Sequence, residues 1–106
     1  MTMTTVDLVQ PGLPQGAAGC TDWQLDDEEL YRVVYTDEER VDGCDAGVHL
    51  AAIQQPNGML SDHDHVEIYV DIAGNGPLSP AQSRALARIL LDAAEQADNW
   101  AMPQSR

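Results

Sequence analysis

Apolar and polar positions alternate without a fault over residues 65–73, HVEIYVDIA: Val66, Ile68, Val70 and Ile72 fall on one side, and His65, Glu67, Tyr69 and Asp71 on the other. A two-residue period of that length predicts a half-buried strand, and its wet second face points to an antiparallel sheet. Gly74-Asn75-Gly76-Pro77 breaks the strand, and the period then lengthens to that of a helix. Leu86, Ile89, Leu90, Ala93, Ala97 and Trp100 share one stripe, while Arg84, Arg88, Asp92 and Glu95 lie largely opposite. The helix start is explicit, with Ser79 as N-cap, Pro80 at N1 and Gln82 at N3 to close a capping box. By its phase, one heptad beyond Ala93, Trp100 is expected to close the core at the helix end.

Upstream, the β-branched and aromatic run LYRVVYT (30–36) predicts a strand with Leu30, Arg32, Val34 and Thr36 on one face and Tyr31, Val33 and Tyr35 on the other. The second face is the expected core face. GVHLAAIQQ (47–55) predicts another strand, closed by the turn Gln55-Pro56-Asn57-Gly58. The polar stretch 37–46 reads as a connection. Residues 1–19, with Pro11, Pro14 and no sustained apolar period, read as a flexible leader outside the core; 20–102 form one domain, and 103–106 a tail. The predicted fold is α+β: a three-stranded antiparallel sheet with one C-terminal helix across Val66, Ile68, Val70 and Ile72, in the order β-β-β-α. Such a unit leaves a sheet face and an edge uncovered, so a homodimer formed by edge pairing or through the open face is expected.

Charge narrows the function classes. The net charge is −13, every basic residue is Arg, and ten of the acids lie between Asp22 and Asp45, where only Arg32 and Arg40 oppose them. Direct binding to a phosphate backbone needs a cationic patch, so no direct nucleic-acid contact is expected. No apolar run is long enough for a membrane span and no basic residue precedes Arg32, which argues against a membrane protein or a secretory signal and for a cytoplasmic location. Cys20 and Cys44 form no CxxC pair and are expected as thiols. An Ala-, Asp- and Arg-rich, Lys-free composition fits a high-GC genome, with acids that keep a small protein soluble.

HVEIYVDIA followed by LSPAQSRALARILLDAAEQAD resembles the C-terminal half of small uncharacterised proteins common in actinobacteria and their phages. Leu78, Ser79, Pro80, Ser83, Leu86 and Leu90 carry the resemblance. Cys20, Trp23 and His49 are loosely similar to a Cys, a Trp and a His of those proteins, although the second Cys that many of them show is missing. The resemblance covers roughly residues 20 to 100 and brings no assigned activity; a phage or mobile-element origin is one reading compatible with it.

Candidate chemistry is sparse. In Asp62-His63-Asp64-His65 two imidazoles two residues apart would share one side of an extended strand, and His49 or Cys44 would have to converge on them to hold a divalent transition metal. A solvated polar loop accounts for the same residues. Gly74-Asn75-Gly76 resembles the start of a dinucleotide fingerprint, but Ser79 stands where the third glycine belongs, and a turn with an N-cap explains every residue. There is no G-x-S-x-G elbow, and Asp27 and Glu28 lack apolar neighbours that would raise a carboxyl pKa, so no enzyme and no cofactor are expected. The favoured function is a small acidic, non-enzymatic interaction module. Asp26, Asp27, Glu28, Glu29, Asp37, Glu38 and Glu39 would meet a basic protein partner, steered by long-range attraction. One alternative is a DNA mimic that occupies the cleft of a DNA-binding protein or restriction enzyme; another is metal binding through His63, His65 and His49.

Overall fold

Antiparallel pairing organises the computed structural model, which describes residues 11–61, 65–72 and 77–101. Six strands precede one helix: β1 (Gly19–Cys20), β2 (Gln24–Asp26), β3 (Glu29–Tyr35), β4 (Glu39–Arg40), β5 (Ala46–Gln54), β6 (Glu67–Ile72) and α1 (Pro80–Ala101). β5 is central. One edge pairs with β3, from Arg32↔Gln54 to Tyr35↔Ala51, and further along with β4 through Glu39↔Val48 and Arg40↔Gly47. The other edge pairs with β6, from Ala46↔Ile72 to Ala51↔Glu67. Both β1 and β2 pair with the outer edge of β3. The fold class is therefore α+β with one C-terminal helix on an antiparallel sheet, but the sheet has six strands in place of the three expected. Gly19-Cys20 and Gln24-Leu25-Asp26 are too short to show a two-residue period, and they pair because the chain turns back on itself at Asp27-Glu28.

The helix starts as its capping signature predicts: the Gln82 N–H donates to Ser79 Oγ (3.0 Å), and the Ser79 N–H donates to Gln82 Oε1 (2.9 Å). The stripe behind the cap fills two adjoining apolar clusters. In one, Val41, Ala46, Val48 and Leu86 are buried; in the other, Val34, Leu50, Ala52, Ala97 and Trp100. The even-numbered residues of β5 thus face the helix, and the pairing Val34↔Ala52 puts Val34 on the same side. This overturns the expected core face of β3. Tyr35 is exposed, whereas Arg32 is only 7% accessible, because a polar network described below satisfies its guanidinium.

On β6 the apolar residues do face the helix side, opposite Leu50, Val48 and Ala46, yet Ile68, Val70 and Ile72 stay 38%, 46% and 54% exposed. Helix α1 lies mainly over β5 and leaves the β6 side of the apolar surface uncovered. Residues 11–18, expected as leader, lie on the domain. The Arg32 Nη2 donates to the Pro11 carbonyl (2.8 Å), Gln54 Nε2 to that of Gly12 (2.8 Å), and Trp100 Nε1 to that of Gln15 (2.9 Å), while Ala17 packs on the core. Composition gave no sign of this strap, because its contribution is main-chain carbonyls rather than side chains. No helix among the described residues is long and apolar enough to cross a membrane.

Candidate functional site

The acidic residues are positioned by the β2–β3 hairpin. Gln24, Leu25 and Asp26 pair with Tyr31, Leu30 and Glu29, leaving Asp27 and Glu28 as a two-residue turn. Both turn residues have positive φ, 50° and 68°. That is the type I′ arrangement, which matches the twist of a hairpin and accepts Asn or Asp at its first position but favours Gly at its second, since a longer side chain in the left-handed region crowds its own carbonyl. Asp26 and Glu29 stand directly opposite each other, so two carboxylates share one face across the ladder. None of these four acids has an ion-pair partner among the described residues.

Beside them, on the sheet face away from the helix, is a shallow cleft of about 660 Å³ bordered by Asp26, Glu29, Tyr31, Ile53 and Asn57. The Tyr31 hydroxyl donates to Gln24 Oε1 (3.2 Å), which fixes the ring as one wall. Leu25 and Leu30 form a cross-strand pair that is 69% and 48% exposed, and Leu30 also borders the cleft. The tip therefore combines uncompensated carboxylates, an aromatic wall and a small apolar patch.

Asp37, Glu38 and Glu39 lie beyond the other end of β3, roughly 20 Å along the strand from the tip. Of these, Glu38 is engaged: Arg40 Nη1 donates to its Oε1 (2.8 Å), and Arg40 also reaches Asp45 Oδ1 at 3.4 Å. The Glu38 carboxylate lies over Gly47, where an added Cβ would overlap it and push the Glu38 side chain aside. The seven candidate acids thus divide into two groups and do not form one continuous row.

The histidine cluster is not assembled. His63 lies outside the described residues. His49 is paired across the ladder with Tyr69, and their rings stack with centroids 5.1 Å apart. Extending the register places His65 opposite Ile53, four residues or about 13 Å along β5 from His49. Among the described residues no group of three or more His, Cys, Asp or Glu is placed to hold a metal ion. Cys20 and Cys44 are free thiols, half-buried against different apolar clusters. On the open sheet face the Tyr69 hydroxyl hydrogen-bonds Glu67, and that bond, with the carboxylate charge, holds the phenol above its ordinary pKa.

The residue pattern missed the Arg32 site. Arg32 Nε donates to Gln54 Oε1 (2.7 Å), its guanidinium stacks on Trp23 at 4.7 Å from the ring centroid, and Gln54 Nε2 also donates to the Gly58 carbonyl (3.0 Å). These bonds spend the polar groups of Arg32 and Gln54 inside the protein, so the pair is a structural element. No family model matches the chain, and comparison with curated proteins and with solved structures found no match.

Proposed function

We propose that this chain is a non-enzymatic interaction module that binds a basic protein partner through the acidic tip of the β2–β3 hairpin. The observation that carries this reading is the backbone conformation of Asp27 and Glu28. Glu28 occupies the second turn position, which glycine would fill with less strain, and Asp26 and Glu29 face each other across the ladder, so the local fold is worse for these acids. Strain retained at an exposed tip fits a role outside the fold. The adjoining cleft would take a guanidinium or ammonium group between Asp26, Glu29 and the Tyr31 ring, while Leu25 and Leu30 offer apolar contact. The break between the tip and the Asp37–Glu39 group favours this local contact over mimicry of a DNA strand, which needs evenly repeated charge.

Two measurements on one variant test the reading. Asp27→Asn with Glu28→Gly is expected to stabilise the protein by about 1 kcal/mol, or roughly 4–8 °C in melting temperature, while weakening capture of its partner from a bacterial lysate at low salt. A more stable variant that captures the partner undiminished would remove the argument. The amide variant Asp26→Asn, Asp27→Asn, Glu28→Gln, Glu29→Gln should lose capture further. Displacement of the captured protein by duplex DNA would instead identify mimicry.

A further inference from the structure

We infer that a second copy of this chain adds to the open edge of β6, joining two sheets into one with both helices on the same face. Strand β6 is a six-residue edge without Pro, Gly or Lys, and among the described residues nothing pairs with its outer side. The opposite edge of the sheet is made of short β1 and β2, interrupted at 21–23. An uninterrupted edge with apolar residues is what an added strand requires.

The direction of each main-chain group follows from the ladder. The Leu50 carbonyl accepts from the Thr36 N–H (3.1 Å) and the Ala46 carbonyl from the Val41 N–H (2.9 Å), so even-numbered residues of β5 turn their main chain toward β3 and β4. Odd-numbered ones then bond β6 at Asp71, Tyr69 and Glu67. In β6 it is Ile68, Val70 and Ile72 whose N–H and carbonyl groups face outward. These are also the residues whose side chains α1 leaves exposed.

Symmetry identifies the occupant. Two identical strands pairing antiparallel are related by a two-fold axis perpendicular to the sheet, so both uncovered apolar strips come to the same face and meet. Centring the axis on Val70 sets Val70 opposite the partner's Val70, Ile68 opposite the partner's Ile72, and Tyr69 opposite the partner's Asp71. Centring it on Tyr69 would set Glu67 against the partner's Asp71, two carboxylates face to face, and centring it on Ile68 would leave Ile72 opposite residue 64, outside β6; the Val70 register avoids both and pairs all three outward residues within the strand. The helix supplies the roof. Ala85 and Ile89 flank β4, and the 100° step places Leu90, Ala94 and Ala87 on the opposite, β6 flank. The acidic tip sits on the far row of the sheet, so this contact is independent of the function proposed above.

Sedimentation velocity of the full chain from micromolar to near-millimolar concentration is the test, at low and high salt. A dimer that persists or tightens in salt is expected, because screening relieves repulsion between two chains of charge −13; an acidic contact with a basic partner would weaken. Val70→Pro removes only an outward N–H, so it should leave the fold intact and weaken dimerisation by at least roughly tenfold. The amide variant of the tip should dimerise as before. Val70→Cys should form an intermolecular disulfide under mild oxidation, and Tyr69→Cys should not, since only residue 70 meets its own copy. That pair decides the matter if Val70→Pro fails to fold. A monomer at all concentrations, a dimer unaffected by a folded Val70→Pro, or a Val70→Cys chain that cross-links no faster than wild type would overturn the inference.

Discussion

Trp100→Ala should lower the unfolding free energy by about 3–5 kcal/mol, the largest loss expected from any single substitution in the domain. The ring is 5% exposed and packs with Val34, Leu50, Ala52 and Ala97, so its removal opens a cavity where strand and helix meet. Its indole N–H is also the donor that holds the Gln15 carbonyl, which ties the strap to the end of the helix. Trp100→Phe keeps most of the buried surface and loses that bond, and should cost about 1–2 kcal/mol. Urea unfolding followed by circular dichroism separates the two. Equal losses for Ala and Phe would mean that the hydrogen bond, not ring burial, is the main contribution.

Arg32→Ala is expected to cost about 3 kcal/mol, for a different reason. It deletes a buried cation and leaves the Gln54 side-chain oxygen and the Pro11 carbonyl without their donor. Gln54→Leu should cost a similar amount, since it strips the Arg32 Nε of its acceptor and the Gly12 and Gly58 carbonyls of their donor. The double variant Arg32→Met, Gln54→Leu should lose less than the sum of its single changes, by roughly 0.5–3 kcal/mol, because neither partner then remains stranded. Trp23 emission in a Trp100→Phe background reports on this site directly, since its ring stacks on the guanidinium. Strict additivity in urea unfolding would show that the two side chains do not act as a unit.

The helix was legible because its information is local: a reciprocal cap at Ser79 and Gln82 and a stripe of apolar residues at helical spacing. The turn at 55–58 was legible for the same reason, and the Gly58 N–H bonds the Gln55 carbonyl as that motif requires. Residues 66–72 alternate as expected, but alternation reports which way side chains point and not how far a covering helix extends, hence the exposed Ile68, Val70 and Ile72. The face of β3 was misjudged because a guanidinium counts as polar wherever its acceptors are, and these come from Gln54 and from the main chain of Pro11, distant in sequence. The hairpin at 24–31 carried no glycine or asparagine at its turn and so no signal. The acidic residues were visible as composition, but their division into a free tip and a second group partly engaged by Arg40 depends on pairing that composition does not encode.

The bond from Trp100 to the carbonyl of Gln15 spans 85 positions of the chain. On a ribosome the helix that supplies this donor is made long after the strap, so Pro11 and Gly12 can already meet Arg32 and Gln54 while the Gln15 carbonyl waits until Trp100 has left the exit tunnel. Closure of the domain is consequently a late event of synthesis, and the nascent sheet exposes its apolar side throughout that interval.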